Sequence, residues 1–105
     1  MNEQGGVFTS GTWYVKPGEE EEFVIAWKAF ADWTLKNALG MTEAQLLQDQ
    51  DDSRRFISFG PWKDEESVRE WRSKPQYTEN LAKLMSLCDG IQVRTLRAMA
   101  HQSKR

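Results

Sequence analysis

The groups in this chain able to do chemistry are few and mostly aromatic. Trp62 closes the run RFISFGPW (55–62) beside a Gly-Pro bend, and strand ends next to loops often line pockets. Four residues earlier, Ser58 carries a hydroxyl, which both donates and accepts hydrogen bonds. Tyr77 brings a phenol, which needs a partner or water when buried. Trp13, Trp27, Phe30 and Trp71 can converge with these three between a sheet and its helices, although Trp27, Phe30 and Trp71 also sit where helix core residues belong. Together the set offers apolar walls and a few donors, with no strong acid or base.

Other reaction types lack their residues. The sequence holds no Cys and His pairing, no Ser-His-Asp set, no Gly-rich phosphate loop and no metal-ligand cluster. Hydrolytic and nucleotide-dependent reactions are therefore not expected, nor is a metal site. His101 lies in a polar tail, and Asp49 and Asp64 read as solvated or capping carboxylates. The lone Cys88 excludes an intrachain disulfide and reads as a small apolar filler on a helix.

Composition narrows the partners. The net charge is -2, with Lys and Arg scattered among Asp and Glu, so no basic stripe exists to gather phosphates and nucleic acid is not expected. No run approaches the roughly 18 to 20 apolar residues that cross a bilayer, and the opening MNEQGG lacks the features of a signal peptide. A cytoplasmic location and no membrane contact are the expectations. With 105 residues, 29% charged and 11% aromatic, the chain suits one domain over 1–105 with an ordered core from about 7 to 100.

The elements that must hold these side chains follow from periodicity. VFTSGTWYVK (7–16) is β-branched and aromatic and ends at Pro17-Gly18, so it predicts a first strand. Glu19 to Glu22 suit the positive end of a helix; Phe23, Ala26, Trp27, Phe30 and Thr34 share its inner side, and Gly40 closes it. Residues 43–50 and 54–62 predict a hairpin through DDS. Asp64 caps a short second helix carrying Val68 and Trp71. Ser73 and Gln76 have capping-box spacing for a third helix from about residue 74, with Tyr77, Leu81, Leu84, Met85 and Cys88 inside and Gly90 as its stop. Residues 91–100 predict an edge strand, and HQSKR a fraying tail.

The order β-α-β-β-α-α-β predicts an α+β, ferredoxin-like fold with a four-stranded antiparallel sheet, the first and third strands central. Alternation sends Phe56, Ser58, Gly60 and Trp62 to one face and Arg55, Ile57, Phe59 and Pro61 to the other. Helices cover one face only. The other would be an apolar patch larger than a monomer usually tolerates, and a second copy stacked on it predicts a homodimer with helices outside. A monomer whose outer face is made semi-polar by Ser10, Thr12 and Gln48 is the alternative.

The stretches SGTWYVKPGEEEEFVIAWKAFADW, RFISFGPWKDEESVREWRSKPQY and LCDG resemble the antibiotic biosynthesis monooxygenase superfamily of dimeric α/β barrels, over roughly residues 7 to 100. That resemblance implies a homodimer needing no cofactor and a pocket for a small electron-rich aromatic or quinol-like substrate, which itself supplies the electrons. The heme-degrading branch uses a His on the third helix and an Asn on the first strand; here the third helix offers Tyr77, Leu81 and Leu84, and the first strand has no Asn. Heme cleavage by that route is not expected. The quinol-oxidising branch places an Asn four residues before a Trp, both donating to a substrate oxygen. The corresponding pair is Ser58 and Trp62, a hydroxyl standing where that branch has an amide. By this resemblance Ser58 and Trp62 orient the oxygen, Tyr77 donates or accepts a proton, and Trp13, Trp27, Phe30 and Trp71 bind the ring. A non-catalytic binding or regulatory dimer of the same fold is the second reading.

Overall fold

A computed structural model describes residues 6–104. All but Gly6 of the opening MNEQGG, and Arg105 of the tail, lie outside the described residues. The elements are β1 (Val7–Val15), α1 (Glu20–Asn37), β2 (Gln45–Gln48), β3 (Arg55–Trp62), α2 (Glu65–Arg72), α3 (Pro75–Ser86) and β4 (Cys88–Arg97). No helix among the described residues is long and apolar enough to cross a membrane.

The four strands form one antiparallel sheet in the order β2-β3-β1-β4, the ferredoxin-like arrangement expected. Alternation along the central pair is strict. Val7, Thr9, Gly11, Trp13 and Val15 of β1 and Phe56, Ser58, Gly60 and Trp62 of β3 are buried under the helices. Helix α1 turns Phe23, Ala26, Phe30 and Thr34 inward, and Ile25 stays exposed, as its 3.6-residue period requires. Among the described residues no helix covers the outer sheet face, where Tyr14, Leu47, Phe59 and Leu96 are all exposed.

Local devices set the element ends. Asp64 accepts a hydrogen bond from the Ser67 N–H at 2.8 Å and so caps α2; that bond and the Ser67 side chain hold its carboxyl below the ordinary value. In the β2–β3 turn Asp49 accepts from the Asp51 N–H at 2.7 Å and pairs with Arg55 at 3.0 Å, and both lower its pKa, the Asp51 bond first.

Several boundaries differ from the sequence expectation. Helix α1 ends at Asn37, and Gly40 lies beyond it at φ 99°, the left-handed conformation that favours glycine. Strand β2 is shorter than 43–50, and β3 begins at Arg55. Lys74, not Ser73, precedes α3, and the Ser73 hydroxyl donates to the Glu70 carbonyl at the end of α2. The largest shift is at the end of α3. It stops at Ser86, Met85 is exposed, and Gly90 sits within β4 opposite Tyr14 without a positive φ. Cys88 is therefore a buried strand residue opposite Val15 and not part of a helix. The residues after Arg97 form neither helix nor strand up to Lys104.

Candidate active site

Burying three tryptophans, Trp13, Trp62 and Trp71, between sheet and helices creates a problem that polar partners must solve, because a buried indole N–H without an acceptor costs about 1–3 kcal/mol. Three hydroxyls solve it. Trp13 Nε1 donates to Ser58 Oγ at 3.0 Å, Trp62 Nε1 to Thr9 Oγ1 at 2.8 Å, and Trp71 Nε1 to Thr34 Oγ1 at 3.0 Å, all three bonds buried. The partners are 45, 53 and 37 residues apart in the chain. Two of these bonds join β1 to β3, and the third ties α2 to α1.

The rings form a continuous wall. Phe30 stacks on Trp71 with centroids 5.8 Å apart and planes 13° apart, and Tyr77 meets Trp71 edge-on at 4.6 Å. Trp62 lies 4.9 Å from Trp71, within the range where aromatic pairs attract. Between this wall and the inner face of the sheet lies a cavity of about 60 Å³.

Six of the seven side chains expected from the sequence line it: Trp13, Trp27, Phe30, Ser58, Trp71 and Tyr77. Trp27 is half-buried, while the other five are buried. Trp62 stands one layer back. It does not belong to the lining, its N–H is taken by Thr9, and its ring backs Trp71. The expected pair of donors is thus split, with Ser58 on the cavity and Trp62 behind it.

Ser58 has a definite polarity. Its oxygen accepts from Trp13, which leaves the hydroxyl proton for another acceptor. Gly11, directly across the strand pair from Ser58, makes this geometry attainable: a Cβ there would fall 2.7 Å from Trp13 Cζ2. The indole lies where that methyl would be.

Thr9, Thr34, Met41 and Arg72 also line the cavity; the sequence places Thr34 on the inner side of α1 but marks none of the four as a site residue. The two threonines carried a usable signal, since both fall on inward positions of their elements and a buried hydroxyl needs a partner. Arg72 carried none, because a charged residue ending a short amphipathic helix reads as solvated. It is the one charged side chain on this lining, which among the described residues contains no carboxylate, imidazole or lysine.

The comparisons with known proteins agree with the fold. Residues 7–83 match the family model described as antibiotic biosynthesis monooxygenase. No curated protein matches the chain. Among solved structures, a conserved protein from Methanosarcina mazei is 20% identical, with a TM-score of 0.81 over 90% of this chain and 94% of that one. A variant of SnoaB, a cofactor-independent oxygenase from Streptomyces nogalater, is 18% identical, with a TM-score of 0.81 over 94% and 96%. PA3566 from Pseudomonas aeruginosa is 17% identical, with a TM-score of 0.76 over 95% and 100%. At these identities the likeness is one of fold.

Proposed function

Because this chain belongs to the antibiotic biosynthesis monooxygenase family, we propose that it acts as a homodimeric, cofactor-independent monooxygenase on a small electron-rich ring of phenol or quinol type. The observation that carries this reading is the Ser58 hydroxyl. It faces a largely aromatic cavity, with its oxygen engaged by Trp13 and its proton free for a substrate oxygen. The likeness to SnoaB, itself a cofactor-independent oxygenase, supports it.

The chemistry asks little of the protein. A deprotonated ring gives electrons to dioxygen, so the site must exclude water and stabilise the ring's anionic oxygen. A preorganised donor in a dry cavity does this at no reorganisation cost, and losing one such donor typically lowers turnover about 100-fold or more. In this reading Ser58 holds the oxygen, and Tyr77 donates or accepts a proton. Trp13, Trp27, Phe30 and Trp71 clasp the ring. Trp62 positions the wall through Thr9 and Trp71. The cavity of about 60 Å³ is smaller than the ~150 Å³ that holds benzene in a protein interior, so the reading requires the lining, which includes half-buried Trp27 and Met41, to widen when a ring binds.

The second copy has its place on the outer sheet face, where Tyr14, Leu47, Phe59 and Leu96 are exposed. Covering such a face removes apolar area worth about 25 cal/mol per Å² from water.

Oxygen consumption with a panel of hydroquinones and anthrone-like phenols tests the reading. Uptake above the buffer rate, reduced about 100-fold in Ser58→Ala, is expected. A wild-type rate equal to buffer overturns it. The lining without a carboxylate or imidazole favours a second reading, a binding dimer without turnover, for which ligand binding without oxygen uptake is the expected result.

A further inference from the structure

Arg72 is the one element of the cavity that a neutral ring does not explain. Its Nε is buried and has no hydrogen-bond partner, an uncommon condition for a charged donor in a folded protein. Its Nη1 donates to Thr95 Oγ1 on β4 at 2.8 Å, and its guanidinium lies 5.9 Å from the Trp71 ring centroid. The side chain is thus held in place at the end of α2. No ion pair among the described residues includes it. Glu65, the carboxylate that shares a hollow with Arg72, is taken by Arg97 at 3.0 Å and Arg69 at 3.7 Å.

Arg72 also stands on a boundary. It lines the aromatic cavity, and with Glu65, Arg69 and Thr95 it lines a neighbouring hollow of about 220 Å³. Two guanidinium groups against one carboxylate give that hollow an excess of positive charge. A planar ligand lying against Phe30, Trp71 and Tyr77 would present an acidic substituent at its rim to Arg72. Guanidinium groups bind carboxylates through paired, charge-assisted hydrogen bonds, and the unpartnered Nε–H belongs to such a pair once the packing over it shifts to admit an oxygen.

We propose that Arg72 is a specificity-determining residue that selects ring substrates bearing a carboxylate. This rests on the reading of the aromatic cavity as a ligand site and names the class of ligand it takes.

Calorimetric titration with hydroquinone and with gentisate, the same ring bearing a carboxylate, tests it. Wild type should bind gentisate about 10- to 100-fold more tightly than hydroquinone. Arg72→Gln should abolish that preference, bringing the two compounds to similar affinity, and Arg72→Lys should recover part of it. Because Arg72 also ties α2 to β4 through Thr95, Thr95→Val serves as the second variant: it removes the tie, keeps the guanidinium and should keep the preference. Equal binding of the two compounds by wild type, or a preference that survives Arg72→Gln or disappears in Thr95→Val, overturns the role of Arg72 and leaves the cavity reading standing. Failure of wild type to bind either compound overturns both.

Discussion

Trp13 and Ser58 are joined by one buried hydrogen bond of 3.0 Å between β1 and β3. That bond fixes the rotamer of the largest side chain on β1 and sets the direction of the only hydroxyl that β3 gives the cavity. Structure and proposed chemistry therefore rest on the same atom pair, and changes at either residue should register in both.

Ser58→Ala removes the acceptor and leaves the Trp13 N–H buried and unpaired. A loss of about 1–3 kcal/mol is expected, read as a lower midpoint in urea unfolding. Oxygen uptake should fall further than stability alone explains, by about 100-fold at a temperature where the variant is fully folded. Unchanged stability would mean that Trp13 finds another partner.

Leu47→Glu places a charge on the exposed outer face of the sheet, at a residue that does not line the cavity. Sedimentation at micromolar concentration should give twice the 12.2 kDa chain mass for wild type and the single-chain mass for the variant. A wild type that sediments as one chain removes the dimer.

Acid sensitivity has an assignable part at Asp64. The Ser67 backbone N–H, followed by the Ser67 side chain, holds this carboxyl below the ordinary value of 3.8. A carboxylate lowered on folding stabilises the native state above its unfolded pKa, and that contribution is lost as pH falls from 3.8 through the lower folded value. Asp64→Asn keeps a capping oxygen without the titration. Its unfolding midpoint should depend less on pH below about 4 than that of wild type, and the remaining slope should include Asp49, lowered in the same sense by Asp51 and Arg55.

Cys88 should be inert while the chain is folded. Burial, helped by neighbouring Asp89, pushes its thiol from 9.0 up to about 11. At pH 8 the thiolate fraction is then about 100-fold smaller than in the unfolded chain, and alkylation should slow by at least about that factor. The same shift makes this group's contribution to stability complete below 9.0 and lost as pH rises toward 11. Mass spectrometry after iodoacetamide treatment, with and without urea, reads the difference.

The alternation of β1 and β3, the inner stripe Phe23, Ala26, Phe30 and Thr34, and the Asp64 cap are legible in the amino-acid order because each is a local steric or hydrogen-bonding pattern a few residues long. The element order then confines the chain to the observed β2-β3-β1-β4 sheet. Most of the cavity residues were legible for the same reason, as apolar groups on inward positions. Tertiary structure decided whatever depends on partners far apart in the chain. Cys88 leaves the expected helix because pairing with Val15 begins β4 there, and the ladder that follows outweighs one more helical turn with a glycine stop. Trp62 turns from the cavity because Thr9, 53 residues away, accepts its proton. Arg72 reaches the cavity from the end of α2, where its guanidinium lies 5.9 Å from the Trp71 ring centroid and also meets Thr95, 23 residues away on β4. Periodicity tells which side of an element is buried, but which two buried groups meet is fixed only when the sheet and helices close on one another.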